Sequence, residues 1–469
     1  MEDVQEVAAG SLENIETPLL IPHDRIDPDA LKVIHRLTRH GFLAYLVGGC
    51  VRDLLLSFTP KDFDVATSAW PGEVRDLFRN CRIIGRRFRL AHILFSGKFI
   101  EVSTFRGSAA ESDAAEGEDL LIREDNVFGS PEEDARRRDF TLNALFYDVE
   151  NHEIIDYVGG LDDIEGRIVR CIGDPQIRFR EDPVRIMRAL RFATRLGFDL
   201  EPEIQTAMAD VKADLTKSAP PRVHEELLKT IACGASASAI EMLHATGVLQ
   251  VLMPGISEAI PDTREALFGY LSALDRLAGG RRTSSDAVLQ AALLYPIYHR
   301  QTGGDTDPYL WLDAERERSP LLMSTRKRDM ERMLQMFRAQ RRFVKEGRGR
   351  RFSTAAFVRK DYFEDAWALF RIGNAATGEY SDIVAEWESR LAALEGGRPH
   401  QPRPANEGRT DGAPESGEGD SPAAVGGAPE GEPARGTRGP SGSHGRTHGR
   451  RRRQRHRFRG RERQGPQPD

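Results

Sequence analysis

The sequence predicts an α+β protein in which a head of mixed sheet and helices precedes an all-α neck and body and a disordered basic tail. Short apolar segments separated by glycine and proline turns fill the first part of the chain, and amphipathic helical periods dominate after Pro220. After about Gly396, Pro, Gly, Glu, Ser and Thr give a composition that cannot bury a core. The expected boundaries are 1–28 for a flexible N-terminal arm, 29–175 for the head, 176–235 for a helical neck, 236–395 for a helical body and 396–469 for the tail.

The head is organised around residues 45–66, which read YLVGGCVRDLLLSFTPKDFDVA. These letters predict a strand ending at Val47, a tight turn at Gly48-Gly49 and then a short helix. Backbone N–H groups at the start of such a helix can bind a phosphate, and Arg52 would lie close to the same anion. We therefore expect a phosphate-binding turn here.

Two carboxylates follow this turn on the next predicted strand, from Lys61 to Val65. Since side chains two residues apart share a face of a strand, Asp62 and Asp64 are expected to point the same way. A lone DxD triplet is common by chance, but this one completes the order strand, turn, helix, strand. That order predicts a site for Mg²⁺ and a nucleoside triphosphate.

A third carboxylate is expected from one of two places. The next predicted elements are two apolar strands and their hairpin turn: Ala91 to Phe95, Gly97-Lys98 and Phe99 to Phe105. Burying Glu101 of the second strand unpaired would be costly, so its presence indicates either a metal-binding role or a partner such as Arg106. The rival third carboxylate is Glu132, which lies just before the arginine motif that begins at Arg136.

Four stretches of the chain resemble, in order and spacing, those of the class II nucleotidyltransferases of the polymerase β superfamily, which comprise bacterial poly(A) polymerases and CCA-adding enzymes. They are residues 45–66, RRRDFTLNAL at 136–145, YVGGLDDIEGRIVRCIGDP at 157–175 and EDPVRIMRALRFATRLGF at 181–198. The resemblance covers about the first half of the chain. It implies a polymerase-β-like nucleotidyltransferase head.

The resemblance also implies roles for the arginine motif and for the last stretch. Arg138 is expected to contact the triphosphate, with Asp139 and Asn143 orienting the ribose or the arginine. The implied nucleotide-binding residues are Gly48, Gly49, Arg52, Asp53, Arg138, Asp139, Asn143, Asp182, Arg185 and Arg188. The implied catalytic residues are Asp62, Asp64, Glu101 and Glu132, with the metal on Asp62 and Asp64.

The last stretch predicts a helix that opens with Glu181-Asp182 and has Pro183 in its first turn. Asp182, Arg185 and Arg188 then lie on neighbouring turns, where donors and acceptors converge. The resemblance implies that they read the nucleotide base, whose Watson–Crick edge an arginine and a carboxylate can match. The alternative is a salt-bridged helix face.

Charge and cysteine content indicate the partners and the compartment. The net charge is −6, but arginines dominate residues 450–463. We therefore expect the tail to contact RNA phosphates, with Phe458 available for stacking; the alternative is a solubility tail.

The four cysteines form no CxxC pair, which indicates a reducing cytoplasm. No apolar run reaches the length of a membrane span, and residues 1–13 are acidic, unlike a signal peptide.

The resemblance leaves two activities to separate. Residues 83–90, IIGRRFRL, followed by Ala91-His92, are similar to the signature of bacterial poly(A) polymerases, and the arm and the basic tail fit that branch. We therefore expect a monomeric, template-independent poly(A) polymerase that uses Mg²⁺, or Mn²⁺, to add AMP from ATP to the 3′ ends of mRNA and other transcripts, in bacterial RNA polyadenylation and decay. RNA-decay proteins are candidate partners. A CCA-adding tRNA nucleotidyltransferase is the alternative, and a non-catalytic RNA-binding adaptor is a remote one.

Overall fold

The computed structural model describes residues 21–85, 89–107, 128–278, 284–344 and 353–396. The chain divides into two units, 1–399 and 400–469, and every described residue belongs to the first. Within that unit a sheet-containing head is followed by helices, which confirms the predicted fold class. None of the helices in the described part is long and apolar enough to cross a membrane.

Seven described strands form one mixed sheet: β1 Ala44–Val47, β2 Asp64–Thr67, β3 Cys81–Ile84, β4 Leu90–Phe95, β5 Lys98–Thr104, β6 Phe146–Asp148 and β7 Glu153–Ile155. Their order across the sheet is β3-β4-β5-β2-β1-β6-β7. Strands β2 and β5 run parallel, whereas the other neighbouring pairs of this sheet run antiparallel. A separate parallel pair, β8 Ile168–Val169 and β9 Asp199–Leu200, connects the end of the head to the neck.

The helices of the head are α1 Pro28–Arg39, α2 Gly49–Leu55, α3 Pro71–Leu77, α4 Pro131–Arg136 and α5 Gly160–Glu165. Helix α1 packs against β1, β2 and β5 and covers one face of the sheet, where Val65 and Val102 are buried in the main core. Because side chains alternate along a strand, Ala66 points to the opposite face, into a smaller apolar cluster. Asp64 and Glu101 lie on that second face, which remains partly open.

The neck and body are helical, as predicted. The neck contains α6 Pro175–Glu181, α7 Val184–Leu196, α8 Pro202–Val211 and α9 Pro220–Ile231. The body contains α10 Ser236–Ala245, α11 Val248–Leu252, α12 Pro254–Ala278, α13 Asp286–Thr302, α14 Pro308–Arg318, α15 Lys327–Val344, α16 Thr354–Val358, α17 Phe363–Thr377 and α18 Ser381–Gly396. The amphipathic helical periods predicted after Pro220 are confirmed, for example by α13, α15 and α17.

Two predicted strand boundaries are wrong by one to three residues. The hairpin turn is Ser96-Gly97 and not Gly97-Lys98, because Lys98 already pairs with Phe95. The strand predicted from Lys61 begins only at Asp64, the first residue in register with β5. Asp62 therefore lies in the segment that enters the strand.

Two further boundaries differ near the ends of helices. The helix predicted to open at Glu181 begins instead at Val184 as α7, because Glu181 is the last residue of α6 and Asp182 is its C-cap. At the end of the predicted flexible arm, Ile21 and Ile26 are buried in the main core. Apolar packing therefore fixes the chain before α1 begins.

Candidate active site

Three of the four candidate catalytic carboxylates line one cleft between the head and the neck. Asp64 opens β2 and is in register with Glu101 on the parallel strand β5, so the two side chains lie side by side on the partly open face. Asp62 precedes the strand but lines the same cleft, whose volume is about 710 Å³. Asp62 and Asp64 therefore line the same cleft, but Asp62 does so from the segment before β2 and not from a position in the strand.

Glu132 does not line this cleft. It lies in the first turn of α4, where its carboxylate pairs with Arg136 one turn later at 2.9 Å. The acid of that segment that does line the cleft is Asp134, which the sequence interpretation missed. Asp134 accepts a hydrogen bond from Arg138 Nη2 at 2.8 Å. The spacing of four residues between this acid and Arg138 could have indicated the pair in the sequence.

The electrostatics of the cleft favour a bound cation. Burial raises the pKa of Asp64 to about 7, and the charges of Glu101 and Asp62 act in the same direction, against the opposing charge of Arg138. Asp62 is the more exposed carboxylate, and its partner is Lys61 at 3.4 Å. A cation placed among these carboxylates would relieve their repulsion.

The donor chemistry fits Mg²⁺ or Mn²⁺, because hard cations prefer carboxylate oxygens. In the described segments, no three His, Cys, Asp or Glu side chains are grouped closely enough to hold a metal ion by themselves. Mg²⁺ is usually held by one or two carboxylates together with waters and substrate phosphates. The site therefore fits a metal that is bound together with a nucleoside triphosphate.

The glycine turn brings its backbone close to the arginine motif. Gly48 has φ = +76° and ψ = −129°, a conformation that is open essentially only to glycine. A Cβ at this position would lie 3.2 Å from Arg138 Nη1 and 3.5 Å from the carbonyl oxygen of Asn143. Gly48 is therefore required both by the turn and by the close approach of Arg138.

Arg52 is buried at the back of the cleft within a network of side chains. Its Nε and Nη2 donate to Asp53 Oδ1 at 2.9 and 2.6 Å, and its Nη1 donates to Asn143 Oδ1. Asp53 Oδ2 also accepts from Arg195 Nη2 at 2.9 Å. Asp53 and Asn143 therefore hold the Arg52 guanidinium in place, and its free surface lines the cleft.

Asp139 orients a second arginine. Its Oδ2 accepts from Arg188 Nε at 2.6 Å, and its Oδ1 accepts from Asn143 Nδ2 at 3.1 Å. Burial alone would raise the pKa of Asp139, but Arg188 and the Asn143 hydrogen bond lower it to about 2. The carboxylate is therefore charged at neutral pH, and this favours the role of orienting an arginine over that of contacting the ribose.

The predicted base-reading residues also line the cleft. Arg185 Nη1 contacts Glu181 Oε2 and the Arg178 carbonyl oxygen, each at 3.2 Å. Asp182 Oδ2 accepts from Arg222 Nη2 at 2.7 Å, whereas its buried Oδ1 has no hydrogen-bond partner. Because a buried acceptor without a donor is costly, this oxygen fits a ligand that supplies an N–H group.

A second cavity of about 780 Å³ adjoins the first cleft. It shares Asp62, Asp64 and Arg52 with the first cleft and adds Lys61, Asp53 and several neutral residues. Three basic residues that the sequence interpretation did not single out line both cavities: Arg191, Arg195 and Lys229. Asp62 and Asp64 therefore line two adjoining cavities whose walls carry basic residues.

The described region matches two protein families. Residues 44–170 match the family described as "Poly A polymerase head domain", and residues 197–260 match the one described as "Probable RNA and SrmB- binding site of polymerase A". The chain is therefore similar to poly(A) polymerases in its head domain and in an RNA-binding segment. The family resemblance expected from the four sequence stretches is thereby confirmed.

Two curated relatives show how the chain compares with known proteins. It is 42% identical over 283 residues to the Poly(A) polymerase I of Salmonella typhimurium, a match that covers 58% of this chain and 61% of that one. It is 37% identical over 237 residues to the CCA-adding enzyme of Lactobacillus johnsonii, covering 50% and 56%. The match thus spans about three fifths of the curated relatives' length.

A solved structure extends the comparison over more of the fold. The crystal structure of the Bacillus stearothermophilus CCA-adding enzyme in complex with CTP superposes with a TM-score of 0.59 at 27% identity, covering 79% of this chain and 84% of that one.

Two sequence expectations remain predictions, because their residues lie outside the described ones. These are Arg86-Arg87-Phe88 of the signature stretch and the basic tail.

Proposed function

We propose that this protein is a template-independent poly(A) polymerase, which transfers AMP from ATP to the 3′ end of RNA. The observation that carries the proposal is the side-by-side position of Asp64 and Glu101 in one cleft, together with Asp62 and Asp64 in the lining of an adjoining cavity with basic residues. One cavity then holds ATP, and the other receives the RNA. In the reaction the 3′-oxygen forms a bond to the α-phosphorus, the bond from that phosphorus to the β-phosphate oxygen breaks, and pyrophosphate leaves.

Asp62 and Asp64, with Glu101 beside them, would hold the Mg²⁺ ions, or Mn²⁺. When bound, these ions activate the 3′-hydroxyl for attack and neutralise charge on the phosphates and on the departing pyrophosphate. Gly49, which opens α2, and Arg52 would hold the triphosphate. These assignments leave Glu132 without a catalytic role, since it pairs with Arg136 outside the cleft.

The triphosphate also needs a preorganised guanidinium, and two side chains would supply it. Arg52 is buried and fixed by Asp53 and Asn143, so little conformational freedom is lost when it meets a phosphate. Arg138 is fixed by Asp134 and stands beside Gly48. Both guanidinium groups line the cleft that contains Asp64.

Base selection would depend on Asp182 and Arg185. The unpartnered Asp182 Oδ1 can accept from the N6 amino group of adenine, while an Arg185 N–H can donate to N1. Cytosine offers the same order of donor and acceptor through N4 and N3, so this pair rejects guanine and uracil more readily than it separates ATP from CTP. The higher identity to a relative named poly(A) polymerase supports ATP alone.

The RNA 3′ end would enter through the second cavity. Lys61, Arg195 and Lys229 line it, and the positive charge suits the phosphates of the terminal nucleotides. The 3′-hydroxyl would then reach Asp62 and Asp64 from this adjoining cavity. A role in bacterial RNA polyadenylation and decay follows from this activity.

A CCA-adding tRNA nucleotidyltransferase is the second candidate, because the base-reading pair accepts cytosine as well as adenine. The test supplies a generic single-stranded RNA and a tRNA without its CCA end, each with ATP alone or with ATP and CTP. We expect a long ladder on the generic RNA with ATP alone. Addition that stops after three nucleotides, only on the tRNA and only with CTP present, would establish the second candidate instead. The Asp64→Asn variant serves as the inactive control.

A further inference from the structure

Three polar side chains lie in one line across neighbouring strands of the head sheet. Asp64 on β2 is in register with Glu101 on β5, and Glu101 is in register with His92 on β4. Residues in register on neighbouring strands project from the same face, so His92, Glu101 and Asp64 form a cross-strand row. Glu101 is the middle member of this row.

The histidine contacts the glutamate directly and is itself held in place. His92 Nε2 lies 3.2 Å from Glu101 Oε2. The imidazole stacks on the Phe99 ring with a centroid separation of 4.0 Å and an interplanar angle of 11°. His92 is the more buried of the two partners, with 17% of its side chain exposed against 34% for Glu101. The imidazole can therefore fix the carboxylate, which is the more mobile partner.

Glu101 needs such a partner because of its other neighbour. Asp64 stands beside it on the parallel strand, and the two like charges repel each other. A free glutamate side chain has several rotamers, and this repulsion favours those that turn away from Asp64. A hydrogen bond to His92 restricts Glu101 to rotamers that keep its carboxylate over the sheet.

The position of His92 indicates how it would act. Glu101 lines the cleft, as does Leu90 on the same strand as His92, whereas His92 itself does not. His92 therefore has no direct access to ATP or RNA in the cleft, and any effect on the reaction passes through Glu101. This distinguishes a positioning residue from a catalytic one.

We propose that His92 is a positioning residue that holds the Glu101 carboxylate beside Asp64 for nucleotidyl transfer and metal binding. The proposal rests on the proposed function of the cleft. It also gives a physical role to the end of the signature-like stretch, in which His92 follows Leu90 and Ala91. The Phe99 ring, which stacks on the imidazole, helps to hold His92 in this position.

The test is a double-mutant cycle of His92→Ala and Glu101→Gln, with His92→Gln as the conservative variant. We expect His92→Ala to lower kcat for AMP addition by about 10- to 100-fold, with little change in KM for ATP or RNA. His92→Gln should recover most of this loss, because its amide can donate to Glu101. In the Glu101→Gln background His92→Ala should have almost no further effect.

A second readout is independent of catalysis. Mn²⁺ binding to the full-length protein saturated with ATP and free of RNA, measured by electron paramagnetic resonance, should weaken in His92→Ala and not in His35→Ala. His35 is a histidine near a glutamate, Glu150 at 3.7 Å, in a more exposed pair outside both cavities. Thermal melting of each variant separates an effect on the site from an effect on the fold.

The possible failures can be told apart. An active wild-type protein whose His92→Ala variant keeps its kcat and its Mn²⁺ affinity overturns the positioning role. If the losses of kcat in the two single variants add in the double variant, His92 acts independently of Glu101. This result also overturns the positioning role. A wild-type protein that adds no AMP to any RNA contradicts the proposed function, and Mn²⁺ binding then still decides the role of His92.

Discussion

At the scale of single residues, the candidate active site consists of carboxylates that require a cation and arginines that are already fixed by acids. Asp64 is the clearest case, because its pKa is raised to about 7 by burial and by the neighbouring carboxylates. Such a group is costly to keep charged in isolation and gains when a cation binds. Residues of this kind should be needed for the reaction and not for the fold.

We therefore expect Asp62→Asn and Asp64→Asn each to lower AMP addition by about a thousandfold, which corresponds to about 4 kcal/mol of transition-state stabilisation. RNA affinity should change by less than about twofold, because phosphate contacts dominate that affinity. Primer extension and filter binding measure the two quantities. Asp76→Asn, an exposed acid on α3, is the matched control. Appreciable residual addition by either variant would remove that residue from the metal site.

Asp182 makes a different prediction, which concerns selectivity. Asp182→Ala removes the unpartnered oxygen, so kcat/KM for ATP should fall by about 10- to 100-fold relative to that for GTP or UTP. Competition among the four nucleotides in single-addition assays measures the ratio. Asp174→Ala is the control, because Asp174 only caps α6. Unchanged selectivity would mean that the base does not contact Asp182.

Asp139 makes a prediction about stability and pH. Its pKa in the folded state is about 2, below the ordinary value of about 4, so its contribution to stability is complete above about pH 4 and is lost as the pH falls toward 2. Asp139→Asn leaves Arg188 without its carboxylate and should lower the free energy of unfolding by about 3 kcal/mol at neutral pH. Urea denaturation from pH 8 to 3 should show this difference shrinking below about pH 4. A difference that stays constant down to pH 3 would contradict the assignment.

At the scale of secondary-structure elements, the decisive feature is the turn between β1 and α2. Gly48→Ala places a methyl group 3.2 Å from Arg138 Nη1 in a backbone conformation that alanine rarely adopts. We expect a loss of stability of about 1–3 kcal/mol and a rise in KM for ATP, since Arg138 must move. Gly41→Ala is a matched control, because Gly41 has φ = +85° with nothing within 4 Å of its added Cβ. It should lose stability and keep its KM for ATP.

The same scale shows what could be predicted from the sequence. The turn, α2 and the amphipathic helices follow from local periodicity and glycine placement, and each was predicted close to its position. Strand β2 begins at Asp64 because its ladder with β5 begins there, and that pairing joins segments that are distant in the sequence. The residues around Asp62 do not show where the pairing of β2 with β5 begins. The sequence interpretation therefore placed Asp62 inside the strand.

The remaining site differences have the same origin. The choice between Glu101 and Glu132 depended on the parallel pairing of β2 with β5, which local periodicity does not reveal. The interpretation also missed Asp134, because which face of α4 meets the cleft is decided by packing. The sequence interpretation placed Glu181 and Asp182 in the first turn of α7, whereas Glu181 ends α6 and Asp182 is its C-cap. The sequence alone does not show how these segments pack against each other.

At the scale of the whole molecule, the reaction requires RNA to be held while the active site adds nucleotides. In the proposed arrangement, the basic residues of the second cavity would contact only the terminal part of an RNA. The arginine-rich residues 450–463 offer a further set of cations. We therefore expect the tail to contribute to affinity rather than to chemistry.

Deleting residues 440–469 should weaken RNA binding and flatten its salt dependence, because each lost phosphate contact lowers the slope of log K against log salt by about one unit. Binding at several salt concentrations measures the slope. The kcat on a saturating concentration of RNA should stay close to that of the full chain. An unchanged slope would show that the tail is a spacer.

The two parts of the site belong to different elements. Asp64 and Glu101 stand on the sheet, whereas Asp182 and Arg185 lie at the junction of α6 and α7. A mutation at this junction leaves the strand pairing that sets the carboxylates unchanged. Under the proposed roles, a substitution at this junction can therefore change which nucleotide is added without rebuilding the pair of carboxylates on the sheet.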